Sequence, residues 1–183
     1  MVVFKSKEKD MQEIIKEELS LLSTRNQDKW HGSKYEVVKR ADMTPKGDFG
    51  ERVTMRMLNK IGLESEIING GKGEFDIILK DSGITLEHKL ATEDTSRNFQ
   101  FNGLKKNVDY DYAYCLGVSP DKLWFGIFPK SVCENLTVAM TKNGEDSFKL
   151  TARPEKGRYP LRELTLENFR DEINQIIEGR KQQ

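Results

Sequence analysis

Asp76, Glu87 and Lys89 are the residues whose types and spacing suit a hydrolytic site. They lie in two short runs, Phe75-Asp76-Ile77-Ile78-Leu79 and Ile84-Thr85-Leu86-Glu87-His88-Lys89-Leu90, which are otherwise largely apolar and rich in β-branched residues. Carboxylate oxygens are hard ligands that suit Mg²⁺, an ion that keeps several waters and binds through one or two protein carboxylates plus substrate phosphate. Such an ion offsets the repulsion between the carboxylates and can polarise a phosphodiester or acidify a bound water. A lysine beside them can orient or deprotonate the attacking water and balance charge at the phosphate. A Glu-x-Lys triplet also arises by chance in a chain that is 33% charged, so the surrounding elements carry weight.

Lys80-Asp81-Ser82-Gly83 is rich in turn formers, which predicts a β-hairpin joining the two runs. Side chains alternate along a strand, so Phe75, Ile77 and Leu79 share one face while Asp76 and Ile78 share the other. Likewise Glu87 and Lys89 share a face with Thr85, and Ile84, Leu86, His88 and Leu90 point away. A register that aligns the polar faces brings Asp76, Glu87 and Lys89 to one spot. His88 falls on the apolar face, where a core histidine is expected.

Upstream, the pattern predicts a helix over residues 49–61 with Asp48 as N-cap and Gly62 as C-cap. Glu51 precedes Thr54, Met55 and Leu58 at helical spacing, which puts it on a partly apolar face. It is either an inward acid or a first-turn acid complementing the helix dipole. A short strand over 64–68 follows, then Asn69-Gly70-Gly71-Lys72-Gly73, a turn with one lysine and glycines that would let backbone approach phosphate. Beyond Lys89, residues 91–97 read as a loop and 98–107 as a short helix or crossover. Arg97, Asn98, Gln100, Asn102, Lys105 and Lys106 form a donor-rich stretch suited to base edges and phosphates. Near-continuous apolar strands over 112–118 and 123–128, joined by Ser119-Pro120-Asp121-Lys122, read as buried on both faces.

The spacing Asp76, ten residues, Glu87, one residue, Lys89 resembles the motif of the PD-(D/E)xK nuclease superfamily, with Phe75 standing where the motif name has proline. The order of helix, three strands, helix and two strands from Asp48 to about Pro129 resembles the αβββαβ core of the restriction-endonuclease-like fold. The resemblance implies an α/β fold with a mixed central sheet, flanked by N-terminal and C-terminal helices. It implies Mg²⁺, replaceable by Mn²⁺, held by Asp76, Glu87 and the backbone carbonyl of His88. Lys89 would position or activate water, and Glu51 would act through water or a second ion. Gln100 is similar to a polar residue that often follows the lysine in these nucleases and helps hold the site or substrate, which implies a place for it among the catalytic residues. The implied activity is endonucleolytic cleavage of double-stranded DNA, first as a small restriction endonuclease. A repair, homing or Holliday-junction-resolving nuclease is the alternative. From another class comes a non-catalytic DNA-binding or assembly protein on a nuclease-like fold.

The 183 residues suit a single nuclease domain: an N-terminal helix and polar arm over 1–46, a catalytic core over 47–130, and a hairpin and helix appendage over 131–183. An amphipathic helix is predicted over 8–25 and a closing helix over 165–178. Trp30, His31 and Tyr35 among the lysines of 26–46 suit either a nucleic-acid backbone or a loop pinned by aromatic anchors. Zero net charge cuts against a non-specific nucleic-acid coat and leaves room for a local basic cleft. No run is apolar enough to span a bilayer and no signal peptide is evident, so no membrane contact and a cytoplasmic location are expected. Cys115 and Cys133 lack metal-ligand spacing and read as reduced packing residues. Lys142-Asn143-Gly144-Glu145 signals a hairpin, and 153–158 a basic loop. Cutting both strands would call for a homodimer.

Overall fold

A computed structural model describes residues 13–19, 28–68, 75–136, 139–142 and 145–182. The chain divides into two compact units, Met1–Ser33 and Lys34–Gln183. In the first, residues 13–19 are helical (α1), with Ile14, Ile15 and Leu19 exposed; the rest of the helix expected over 8–25 lies outside the described residues. Ser33 Oγ donates to the Trp30 carbonyl at 2.7 Å, closing a turn around the first expected aromatic anchor.

The second unit runs α2 (Glu36–Arg40), α3 (Met43–Lys60), β1 (Ser65–Ile67), β2 (Ile77–Leu79), β3 (Ile84–Thr92), β4 (Phe99–Lys105), β5 (Tyr112–Val118), β6 (Leu123–Pro129), α4 (Lys130–Glu134), β7 (Ala139–Lys142), β8 (Glu145–Pro154), β9 (Pro160–Glu163) and α5 (Leu166–Lys181). This is the mixed α/β architecture expected, with helices towards both ends. Helix α3 starts six residues before the expected Phe49, so Asp48 is not its cap and the boundary drawn at residue 46 falls inside a helix. Pro45 sits in the first turn, where its missing N–H had no intrahelical partner to lose. The other end is as expected. Gly62 takes φ +89°, Leu63 N–H donates to the Leu58 carbonyl and Gly62 N–H to that of Asn59, both at 3.0 Å, which is a Schellman closure.

The strands form one mixed sheet in the order β1-β2-β3-β5-β6-β9-β8-β4, with β7 also paired to β8. β3 and β5 are parallel, and parallel neighbours need a crossover. Residues 98–107, expected as a short helix or a crossover, make that crossover as strand β4 and not as a helix. Phe99, Gln100, Phe101 and Asn102 alternate buried and exposed at the strand period, and a register shift around Gly103, at φ +78°, then turns Leu104 inward. The inward set 99, 101 and 104 is what gave the sequence its partly helical look.

The β3–β5–β6 region is covered on both faces. On one, Leu58 of α3 and Phe169 and Ile173 of α5 pack with Leu86, Tyr114 and Phe125. On the other, Ala113 and Cys115 lie under Phe99, Phe101 and Leu104 of β4, Leu150 of β8 and Leu161 of β9. The reading of 131–183 as an appendage is therefore corrected. Phe169 and Ile173 on one face of the sheet and Leu150 and Leu161 on the other are each fully buried, contributing about 1.5–3 kcal/mol apiece. Cys115 and Cys133 are free and buried, as expected. Among the described residues, no helix is long and apolar enough to cross a membrane.

Candidate active site

β2 and β3 form the expected antiparallel hairpin, with Ile77 opposite Leu86 and Leu79 opposite Ile84. Asp76 stands one residue before β2, its N–H donating to the Leu86 carbonyl at 3.0 Å, and so lies level with the start of the Glu87-His88-Lys89 run. Its Oδ2 accepts a 2.7 Å hydrogen bond from the His88 N–H. On the neighbouring face Lys89 Nζ donates to Glu87 Oε1 and lies 3.9 Å from Asp76 Oδ2. The structure thus brings together the three side chains that strand alternation put on one face.

Electrostatics link Glu51 to this group. Burial raises the Glu87 pKa above the ordinary 4.5; the Lys89 ammonium opposes the shift and the Asp76 charge reinforces it. The Glu51 pKa is raised as well, first by burial and then by Asp76 and Asp48, with Lys89 again opposing. Asp76 is the negative charge felt by both. Asp76, Glu87 and Glu51 around Lys89 make a set of oxygen donors that suits a hard cation.

Among the described residues, no three His, Cys, Asp or Glu side chains form a metal-holding group. The donors that do converge are two carboxylates and a strand carbonyl, a set that suits Mg²⁺ because this ion retains waters. N–H and C=O of one strand residue point to the same side, so the His88 carbonyl faces the Asp76 side of β3. Lys89, lodged between Glu87 and Asp76, is itself a cation held between the two carboxylates.

His88 occupies the apolar face, stacked on Tyr114 with ring centroids 5.3 Å apart. Burial, with Lys89 adding to it, pushes its pKa down to about 3, so the imidazole is neutral at physiological pH. Gly50 of α3 lies against this ring: a Cβ there would stand 2.5 Å from His88 Cε1. That close approach seats the middle of α3 on β3 and brings the adjacent Glu51 towards Asp76. Sequence reasoning missed Gly50, although a glycine inside a helical pattern is the available signal for such packing.

The donor-rich stretch is split. The Lys105 charge reaches Glu87 and lowers its pKa, so Lys105 belongs near the carboxylates. Gln100 does not join them through any hydrogen bond described: its Nε2 donates to Asp94 Oδ2 at 3.3 Å and its Oε1 accepts from Lys149 at 3.4 Å. Asn98 Oδ1 accepts from Arg153 Nε. Arg97 and Asn102 are exposed, and Lys106 Nζ lies 3.8 Å above the Phe148 ring. Lys72 lies outside the described residues.

No protein-family model matches the chain, and comparison with curated proteins gives no match. Among solved structures, the bacterial homing endonuclease I-Ssp6803I is similar at TM-score 0.52 and 14% identity, over 76% of this chain and 94% of that one. Hjc, a Holliday junction resolvase from the archaeal hyperthermophile Archaeoglobus fulgidus, matches at TM-score 0.35 and 18% identity, over 57% of this chain and 83% of that one. The fold is the nuclease-like one expected from the motif. The likeness to I-Ssp6803I is one of fold, a mixed α/β sheet with helices towards both ends.

Proposed function

We propose that this chain is a Mg²⁺-dependent endonuclease that hydrolyses phosphodiesters of double-stranded DNA, with Mn²⁺ able to substitute. The observation that carries this reading is the convergence of Asp76, Glu87 and Lys89 at the β2–β3 hairpin. The site residues divide the work. Asp76 and Glu87, with the His88 carbonyl, hold the ion, which when bound supplies Lewis-acid stabilisation of charge on the phosphate oxygens. The His88 N–H fixes one Asp76 oxygen and so orients the other. Lys89 orients the attacking water and offsets charge developing on the phosphate. Glu51, with its raised proton affinity, accepts hydrogen bonds from water beside the ion or takes a second ion.

A small restriction endonuclease is the first reading within this class. A homing nuclease is the second, and the fold likeness to I-Ssp6803I supports it; junction-resolving or repair cleavage is a further arm of the same test. One site cuts one strand at a time, so cutting both calls for a homodimer or for sequential nicking.

The test is digestion of a large mixed duplex with Mg²⁺, beside EDTA and beside Glu87→Gln. Many discrete bands lost in both controls support the restriction reading. One or very few cuts favour the homing reading, and a smear lost in both favours repair or structure-specific cleavage. Without Mg²⁺-dependent product on duplex, branched or single-stranded DNA, the enzyme reading is abandoned in favour of a binding protein on a nuclease-like fold.

A further inference from the structure

Resting on that reading, we propose that the outward face of the β4–β8 ribbon is the surface that reads duplex DNA, seated in the major groove. Between Lys149 and Ala152, β8 is paired to β4 alone among the described strands, since β7 reaches only to Phe148 and β9 begins opposite Arg153. The sheet is therefore two strands wide at this point. A two-stranded ribbon fits a B-DNA major groove about 12 Å wide.

The two faces of the ribbon differ sharply in chemistry. Inward, Phe99, Phe101, Leu150 and Ala152 are buried in the core. Outward, Gln100, Asn102, Thr151 and Arg153 are exposed, and Lys149 joins them across the strands through Gln100. Neutral amides and a hydroxyl can pair with base edges, which present both donors and acceptors, while Lys149 and Arg153 suit phosphates. Cation and amide are already tied together: Lys149 to Gln100, Gln100 to Asp94, and Arg153 to Asn98. These bonds fix the direction of each side chain before DNA arrives, which lowers the ordering cost of binding.

The ribbon also connects to the candidate active site. β4 leaves β3 through the turn at Asp94 and ends at Lys105, whose charge acts on Glu87. One strand thus carries Gln100 and Asn102 on its outer face and a cation beside the carboxylates at its end. The register shift around Gly103 re-aims the strand between these two tasks. The chain has zero net charge, so a basic surface has to be local; Lys149 and Arg153 supply it here, and Lys156 and Arg158 line the same hollow as Thr151 and Arg153.

The experiment uses the full chain and a randomised duplex pool, with bound and cleaved sequences read out, against two variants. Lys149→Gln with Arg153→Gln is expected to weaken binding to all duplexes and to reduce the slope of log affinity against log salt by about one unit per cation removed. Gln100→Ala with Asn102→Ala and Thr151→Ala is expected to relax the sequence preference by about tenfold at the positions contacted, while Mg²⁺-dependent cleavage continues. Four of the five positions are exposed and Lys149 is half-buried, and unchanged melting establishes that both variants fold. Wild-type cleavage with unchanged preference and salt slope in both variants overturns the ribbon proposal alone. If wild type binds duplex without cutting and the variants lose that binding, the nuclease reading fails and the ribbon stands. A-form RNA has a major groove too narrow for a ribbon, so equal binding of an RNA duplex overturns the major-groove proposal.

Discussion

The backbone N–H of His88 donates to Asp76 Oδ2 at 2.7 Å, so the first motif carboxylate is fixed by the residue that separates Glu87 from Lys89. Position and charge of Asp76 can therefore be tested separately. Asp76→Asn keeps an acceptor and should leave the melting temperature within a few degrees of wild type, while lowering DNA cleavage at least about 100-fold. Asp76→Ala leaves the N–H without that partner and should in addition cost about 1–3 kcal/mol of stability in urea unfolding. If the asparagine variant cuts DNA at the wild-type rate, Asp76 is not a metal ligand.

The Lys89 ammonium opposes the burial that raises the Glu87 pKa. In Lys89→Met the Glu87 pKa should climb further above the ordinary carboxylate value. A group whose folded pKa exceeds its unfolded one adds stability below the unfolded pKa and loses it as pH rises through the folded pKa. The variant should therefore be least stable relative to wild type at neutral and alkaline pH and recover towards mildly acidic pH. Denaturant midpoints across pH 4–8 check the sign, and cleavage should be lost throughout.

His88 titrates in the opposite sense. Its folded pKa of about 3 lies below the ordinary 6.5, so its contribution is fully present above pH 6.5 and is lost as pH falls towards 3. The limiting slope is about 1.4 kcal/mol per pH unit. Raised Glu51 and Glu87 oppose this in acid, so a difference measurement is needed. His88→Leu should flatten the stability profile between pH 6.5 and 3 relative to wild type; parallel profiles would refute a buried neutral imidazole.

Gly50 tests the seating of α3. A methyl group 2.5 Å from His88 Cε1 has to push the helix away from β3. Gly50→Ala should cost about 1–3 kcal/mol by overpacking, despite alanine's better helix propensity. The same displacement moves Glu51 from Asp76, so cleavage per folded molecule should fall as well.

The motif hairpin was legible in the sequence because both strands alternate cleanly and a four-residue turn joins them. Gly62 was legible because a positive φ at a helix end favours glycine. The start of α3 was not, because Pro45 punctuates most sequences and is harmless only in a first turn. β4 was misread where the shift at Gly103 breaks its alternation. The Gln100 contacts depend on Lys149, which lies 49 residues away in sequence and adjacent only once β8 pairs with β4. The place of α5 in the core likewise needed the sheet before its apolar face had a partner.

The outer strands of the sheet make poor templates for another chain. β1 has only three residues, with Glu64 just before it and Glu66 within it both paired to Lys80, β7 has four, and β4 is irregular at Gly103. Short, charged or bulged borders resist edge-to-edge aggregation. Two copies of this protein would consequently have to meet through side chains on helices and loops, leaving each sheet to end within its own subunit.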